Sequence, residues 1–399
     1  MFSADELSKY ADILVWGITK ARSGKFEQGD KVVVRFDLAA LPLAEVLHAK
    51  ILAQGMHPIL RLSPTPRMEK DFFSLSQDFQ LTYLPDGEEE LYENLNGSIS
   101  LLAPESLTHL SGVDPKKIGT AIVARKKLRE ILEQREQAGN FGWSLCLLPT
   151  PELAEKAGLS QDEYKQEIVQ ACYLDSPDPI REWERIYSES IRIKTWLNSL
   201  EVKRFKILSK NIDLTVVPGD LRRWLGTSGH NIPSFEIFTS PDWRGTEGVF
   251  YADQPSYRSG NLVQGVRLVF EGGSVREVTA EKGEAFVREQ LEMDKGANKV
   301  GEFSLTDKRF SRIGKFMAHT LYDENFGGEQ GNCHIAVGAS YADTFSGPQS
   351  ELTKERKKEL GFNDSALHWD LVNTEQKQVV ALLASGKEQV IYQDGVFLP

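Results

Sequence analysis

Residues 31–62, KVVVRFDLAALPLAEVLHAKILAQGMHPILRL, contain the pattern that decides the fold of the first half of the chain. Residues 31–36 and 57–62 are short runs rich in branched apolar side chains, which is typical of strands. Residues 44–54 repeat apolar side chains at helical spacing and end at Gly55, a residue type that commonly follows the last turn of a helix. A strand, a helix and a second strand in this order predict a βαβ unit and therefore a parallel sheet.

Helical patterns extend this organisation on both sides of the βαβ unit. Ser3 and Glu6 have the spacing of a capping box, so a helix is expected to begin directly after Ser3. Residues 161–173 and 179–200 also have helical periodicity. No glycine-rich phosphate loop follows the predicted strands, so the α/β pattern does not imply a nucleotide site. We therefore predict an α/β domain over residues 1–200.

The pattern changes to β-rich beyond residue 200. Residues 205–217 alternate apolar and polar side chains, and residues 266–270 and 274–278 predict a hairpin across Gly272-Gly273. A chain of 399 residues is also longer than one hydrophobic core usually supports. Residues 201–399 are therefore predicted to form a second, α+β domain.

Composition restricts the partners and the compartment. The chain is 40% hydrophobic and 26% charged, as in ordinary globular proteins, and its formal charge of -11 disfavours nucleic acid as a partner. The beginning of the chain lacks the pattern of a signal peptide, and no apolar run is long enough to cross a membrane. Three widely spaced cysteines suggest neither a disulfide framework nor a thiolate zinc site. We expect a cytoplasmic protein.

Candidate metal ligands concentrate in the second predicted domain. His368 and Asp370 are two residues apart, so on a strand their side chains would lie on one face. Two glutamates are embedded in apolar runs, where a carboxylate is costly unless it is paired or bound to metal. A set of two glutamates, one aspartate and two neutral histidines would neutralise two divalent cations that share a hydroxide. Spacing alone leaves a second interpretation open, because an HxD strand is often an ordinary hydrogen-bonded pair. The candidates are Glu236, Glu302, His334, His368 and Asp370.

Four stretches in this half resemble a known family. They read, in chain order, NIPSFEIFTSPDWRGTEG, DKGANKVGEFSLTD, LYDENFGGEQGNCHIAVGASY and SALHWDLV. Together they are similar to the aminopeptidase T, aminopeptidase S and PepS family of metallopeptidases. The resemblance implies two domains with two divalent metal ions in the second, a homodimer, and short peptides as substrates. By position in these motifs, the family's ligands correspond to Glu236, Glu302, His334, His368 and Asp370, and its active-site tyrosine to Tyr341.

This resemblance implies an aminopeptidase in which two ions activate a bridging water for attack on the first peptide bond. Glu302 is expected to bind metal and also to handle the proton, although Glu236 could do so. Asp323 and Glu324 are interpreted either as supports for a ligating histidine or as helix-end caps. Tyr341 is expected to stabilise the tetrahedral intermediate.

Two other functions remain open from the sequence. A dinuclear site of this kind could hydrolyse a phosphoester, and a chain that retained the pocket could bind peptides without cleaving them. His and carboxylate ligands suit zinc, cobalt or manganese comparably, so the sequence does not select the metal. It does not select the preferred first residue of the substrate either.

Overall fold

The structure is a computed structural model that describes residues 2–399. These residues fold into two compact units. The first unit extends to Trp183 and includes Ser228–Ile232, and the second contains Glu184–Thr227 and Pro233–Pro399. The sequence predicts the domain boundary at residue 200, at the end of a long helix. The division between the two units falls within that helix, after Trp183. The predicted domain ranges stay a prediction.

The helices are numbered in chain order, and the strands are numbered separately in chain order. The α-helices are α1 (Ala4–Lys20), α2 (Leu41–Ala53), α3 (Pro66–Leu75), α4 (Asp78–Leu81), α5 (Glu88–Glu93), α6 (Pro115–Ala124), α7 (Lys126–Gln137), α8 (Pro151–Ala157), α9 (Gln161–Ala171), α10 (Pro179–Ser199), α11 (Glu284–Leu291), α12 (Thr320–Asp323) and α13 (Lys354–Glu359). The strands are β1 (Lys31–Phe36), β2 (His57–Leu62), β3 (Gly97–Leu102), β4 (Gly142–Leu147), β5 (Val202–Ser209), β6 (Asp213–Val217), β7 (Asn231–Ile232), β8 (Glu236–Thr239), β9 (Asp242–Ala252), β10 (Ser256–Arg258), β11 (Asn261–Val263), β12 (Val266–Glu271), β13 (Ser274–Thr279), β14 (Val300–Thr306), β15 (Asn332–Gly338), β16 (His368–Asn373), β17 (Lys377–Leu383), β18 (Glu388–Gln393) and β19 (Val396–Phe397).

The first unit is built around a parallel sheet, as the sequence predicts. Its strand order is β2-β1-β3-β4-β7, and each neighbouring pair is parallel. Val33 pairs with Ile59 across the predicted βαβ unit. Helix α1 begins with the predicted capping box between Ser3 and Glu6. Helix α2 begins at Leu41, earlier than the apolar periodicity indicates, because a proline in its first turn is compatible with a helix start.

The second unit is rich in antiparallel strands, which confirms the predicted change of fold class. One sheet has the order β13-β12-β9-β6-β5-β17-β18-β19, and another has the order β16-β15-β14-β8. Strands β12 and β13 form the predicted hairpin, with positive φ at both Gly272 and Gly273. Two consecutive positive φ angles are what a tight two-residue hairpin turn requires, and glycine adopts them without strain.

The sheet formed by β16, β15, β14 and β8 has an unusually buried centre. Every residue of β14 and of β15 is buried, although β14 contains Glu302 and β15 contains His334. The pairing of β14 with β15 shifts register between Val300 and Glu302, so Gly301 occupies an irregularity directly before the buried glutamate. This sheet therefore has ionisable side chains inside its core.

Two observations bear on the compartment and on membranes. Cys146, Cys172 and Cys333 are free and buried. Within residues 2–399, no helix combines the length and the apolar composition needed to cross a membrane.

Gly301 gives a test of how closely the strand carrying Glu302 is packed. A Cβ atom at this position would lie against the carbonyl oxygens of Gly338 and Ala339, closer than van der Waals contact allows. We expect Gly301→Ala to lower the free energy of unfolding by about 1–3 kcal/mol, the usual cost of overpacking. Urea unfolding followed by circular dichroism measures this change.

The matched control is Gly314→Ala, because no atom beyond its two chain neighbours lies within 4 Å of the position of its added Cβ. It should change the free energy of unfolding by no more than about 0.5 kcal/mol. Equal effects of the two substitutions would contradict the close packing at Gly301.

Candidate metal centre

Strand register brings the five candidate ligands to one face of the β16-β15-β14-β8 sheet. Ala336 on β15 pairs with Asp370 on one side and with Glu302 on the other. His334 lies two residues before Ala336 on β15 and pairs with Ser304. Side chains two residues apart on a strand share a face, which adds His368 beside Asp370. Glu236 joins them from β8, where it pairs with Thr306.

The donor atoms of these five side chains converge. His334 Nε2 lies 3.1 Å from Glu302 Oε1 and 3.4 Å from Glu236 Oε2. His368 Nε2 lies 3.5 Å from Asp370 Oδ1 and 3.7 Å from Glu302 Oε2. Two groups of three result, Glu236-Glu302-His334 and Glu302-His368-Asp370, each with its donor atoms within 4.8 Å of one another. Glu302 belongs to both groups, so one carboxylate could serve two ions.

The proton positions at His368 fit a cation at the centre of the cluster. His368 Nδ1 lies 2.8 Å from the carbonyl oxygen of Ala339, so it must carry a hydrogen and donate it. Nε2 of a neutral His368 would then point its lone pair at the carboxylates of Asp370 and Glu302. Either a second proton or a metal ion must lie between them. Imidazole and carboxylate donors in this number suit a divalent cation.

Proton affinities in the cluster reflect crowding of charge in a buried place. Burial raises the pKa of Glu302 to about 7, although its hydrogen bond to His334 opposes the rise. Burial would lower the pKa of His368, but Asp370 and Glu302 raise it to about 9. Burial likewise opposes the charge on His334, while Glu236 and Glu302 raise its pKa well above the ordinary value. Without metal, protons must supply the positive charge that this cluster of carboxylates requires.

A fourth carboxylate, Glu324, lies beside the same centre. Burial raises its pKa well above the ordinary value, and the charges of Glu236 and Asp370 raise it further. Glu324 also lines a small crevice with Asp370 and Tyr257. The residue ends helix α12, as one of the sequence interpretations expected. Its proximity to the cluster agrees with the other sequence interpretation, in which Glu324 supports a ligating histidine.

Tyr341 stands at the edge of the cluster. Its ring centroid lies 4.6 Å from that of His368, and its backbone N–H donates to Ser240 Oγ. The residue is 45% exposed, so part of it faces solvent. Burial of the hydroxyl and the nearby carboxylates, Glu302 first among them, raise the pKa of Tyr341 strongly. The phenol therefore keeps its proton at neutral pH and can donate a hydrogen bond.

Polar side chains behind the cluster hold the segments that carry it. Asn325 Oδ1 accepts from the backbone N–H groups of Phe235 and Glu236, at 2.6 and 3.0 Å. Asp323 accepts from the backbone N–H groups of Met317 and His319, at 2.7 and 2.9 Å. Asp323 therefore orders the loop before α12, whereas Asn325 fixes the backbone at the first candidate ligand. The sequence interpretation did not include Asn325.

Comparison with known proteins gives concordant matches. The family model described as thermophilic metalloprotease (M29) matches residues 3–397. The chain is 27% identical to aminopeptidase T of Thermus aquaticus, over 98% of each chain. It is 28% identical to aminopeptidase AmpS of Bacillus subtilis (strain 168), over 77% of this chain and 78% of the relative. The solved structure of wild-type AmpT from Thermus thermophilus has the same fold, with a TM-score of 0.80, 23% identity and 99% of each chain covered.

The raised pKa values give a prediction for metal binding. Since His334, His368 and Glu302 hold protons more tightly than usual, a divalent cation must displace protons when it binds near neutral pH. We expect zinc added to chelator-treated protein in weak buffer at pH 6.5 to acidify the solution. The affinity should rise by about tenfold or more per pH unit between pH 6 and 8, since each displaced proton contributes one such factor. A pH indicator and calorimetry measure the two quantities.

The control variant is Glu329→Gln, which removes an exposed carboxylate from the neighbouring loop. It should release as many protons as the parent. Zinc affinity that did not depend on pH would contradict the assignment of these protonated groups to the binding site.

Proposed function

The chain belongs to the thermophilic metalloprotease family M29 and is a metal-dependent aminopeptidase. We propose that it cleaves the first peptide bond of short peptides and that the cleavage takes place at the buried cluster. The observation that carries the proposal is the pair of three-residue groups that share Glu302 on one sheet face. Aminopeptidase T of Thermus aquaticus, which the chain matches over nearly its whole length, supports the same activity.

We propose two divalent cations, one for each group. Glu236, Glu302 and His334 would hold the first, and Glu302, His368 and Asp370 the second. When bound, two such ions polarise a scissile carbonyl and lower the pKa of a water shared between them. The donor set suits zinc, cobalt or manganese.

Glu302 is the residue that we propose as both a ligand and the acceptor of the proton released during attack. Its carboxylate is buried at the centre of the cluster, between the two groups. A carboxylate that belongs to both groups lies close to any water that the two ions activate, so it is placed to accept the proton released during attack. Glu236 is the alternative proton acceptor, because its carboxylate also faces His334.

Glu324 and Tyr341 complete the proposed site. The carboxylate of Glu324 lies near the cluster at the crevice shared with Tyr257, so it can accept hydrogen bonds from the free α-amine of a substrate. An anchored amine would limit cleavage to the first residue. The Tyr341 phenol, which stays protonated, would donate to the carbonyl oxygen as that oxygen becomes negative.

We also propose a cytoplasmic homodimer. Three buried free thiols are compatible with a reducing compartment. Strand β2 is an edge strand of the first unit, and it exposes Leu60 and Leu62. Helix α2, which is apolar at most of its positions, exposes Leu41 and Leu52. An unpaired strand edge beside exposed leucines is typical of a surface that another chain covers.

Metal content distinguishes the two groups. We expect Asp370→Ala to lose one of the two ions, because Asp370 belongs to one group only, and Glu302→Ala to lose both. Peptidase activity should disappear in both variants. Elemental analysis after dialysis and a leucyl-para-nitroanilide assay give the two readouts, with the exposed Asp364→Ala as control. Parent-like metal content in Glu302→Ala would remove this residue from the proposed ligands.

Tyr341→Phe removes the phenol and keeps the ring. Loss of one donor to a developing oxyanion typically lowers kcat by roughly 100- to 1,000-fold, or about 3–4 kcal/mol. We expect a loss of this size with metal content unchanged and with KM changed by less than about threefold, on a scale where tenfold is about 1.4 kcal/mol. Turnover within about threefold of the parent would show that Tyr341 acts only by packing.

Introducing negative charge at the exposed leucines tests whether they form the proposed dimer surface. We expect the double substitution Leu52→Glu and Leu62→Glu to convert the protein to a monomer, because a buried unpaired carboxylate costs several kcal/mol. Light scattering at micromolar concentration gives the mass. Leu208→Glu, at an exposed leucine in the second unit, is the control and should leave the mass unchanged. A double variant that stays dimeric would place the interface elsewhere.

A further inference from the structure

One side of the cluster is bordered by an aromatic surface, formed by Phe238 and Tyr341. Phe238 follows Glu236 by two residues on β8, so both side chains lie on the face that holds the candidate ligands. Two residues of strand span about 6.6 Å, which places the Phe238 ring within one side chain's reach of Glu236. Phe238 pairs with Ser304, whose other neighbour is His334. The phenyl ring is therefore in the row of residues next to the cluster.

The aromatic surface lies between two candidate ligands, Glu236 and His368. The ring centroids of Phe238 and Tyr341 are 5.7 Å apart, and those of Tyr341 and His368 are 4.6 Å apart. Phe238 is thus two residues from the candidate ligand Glu236, and Tyr341 packs on the candidate ligand His368. The backbone of Phe238 is held on both sides, because it exchanges two hydrogen bonds with Leu225 and pairs with β14 on the other edge. Phe238 therefore presents its ring from a rigid position.

The surface is not fully covered by the chain itself. Phe238 is partly exposed, and Tyr341 is 45% exposed. The crevice at Glu324 and Asp370, by contrast, has three acidic residues in its lining, the third being Asp323. An apolar border and an acidic border thus adjoin the same cluster. The acidic border suits an ammonium group, and the aromatic border suits an apolar side chain.

We propose that Phe238, together with the ring of Tyr341, receives the side chain of the first residue of the substrate, and that the enzyme prefers branched aliphatic and aromatic first residues to alanine or glycine. This inference rests on the proposed function, since it assumes cleavage at the cluster. The first side chain is the one closest to the scissile carbonyl, so a surface adjoining the cluster contacts it before any later residue. Such contacts discriminate between substrates by about 10- to 200-fold per methylene group in an apolar site.

The test varies the first residue while the leaving group is constant. Leucyl-, phenylalanyl-, alanyl- and glycyl-para-nitroanilide are compared for the parent, Phe238→Ala and Phe238→Leu. We expect the parent to prefer leucyl to alanyl substrate by about tenfold or more, and Phe238→Ala to reduce that ratio by at least about tenfold. Phe238→Leu keeps an apolar contact and should keep most of the preference. It also serves as the informative variant if the alanine variant folds poorly.

The matched control is Phe286→Ala. Phe286 is also partly exposed, but it packs against Trp369, whose side chain points to the face of β16 opposite His368 and Asp370. This variant should keep the leucyl to alanyl ratio of the parent. A ratio that fell equally in the two variants would overturn the proposal.

A binding measurement separates failure of this inference from failure of the proposed function. L-leucinol and L-alaninol, which keep the α-amine and the side chain but have no amide bond to cleave, are titrated into metal-loaded parent and Phe238→Leu by calorimetry, so the result does not depend on turnover. We expect the parent to bind the leucine compound at least about tenfold more tightly. Equal binding of the two compounds, or a kcat/KM that depends on the second residue of dipeptides and not on the first, would overturn the proposal. A parent that binds leucinol selectively but cleaves no peptide would instead contradict the proposed function.

Discussion

The second unit depends on placing negative side chains inside a sheet that water hardly reaches. Glu302 is 3% exposed and His334 is fully buried, and both are on strands whose every residue is buried. An isolated carboxylate in such a place would be strongly unfavourable. Here the carboxylates face two imidazoles, and protons or bound cations must balance the negative charge that remains. Removing one partner of such a buried pair typically costs about 3–5 kcal/mol. The cluster is therefore part of the buried core of the sheet as well as the candidate metal site.

This arrangement requires a fixed register between strands that are distant in sequence. A shift of β16 by one residue would turn both His368 and Asp370 to the other face of the sheet. Polar contacts at the strand ends oppose such a shift. Asn363 donates to the carbonyl oxygens of Gly296 and Gly338, which joins the segment before β16 to the end of β15. The register is thus held by side-chain hydrogen bonds as well as by the strand pairing itself.

Local patterns in the sequence predict some of this structure and cannot predict the rest. The βαβ unit, the hairpin across Gly272-Gly273 and the shared face of His368 and Asp370 follow from periodicity, which depends only on neighbouring residues. The order β16-β15-β14-β8 does not, because it depends on pairing between segments far apart in the chain. Only the resemblance to a family singled out Tyr341.

The strand ends also explain why the second histidine and the tyrosine cannot be considered separately. The segment 339–341 leaves β15 and carries two functional groups within three residues. Its Ala339 carbonyl accepts the hydrogen of His368 Nδ1, which leaves Nε2 directed at the cluster. Two residues later, Tyr341 is held through its backbone N–H by Ser240 and packs its ring on the same histidine. A displacement of this segment would therefore alter both the orientation of a candidate ligand and the position of the phenol, although neither side chain had changed.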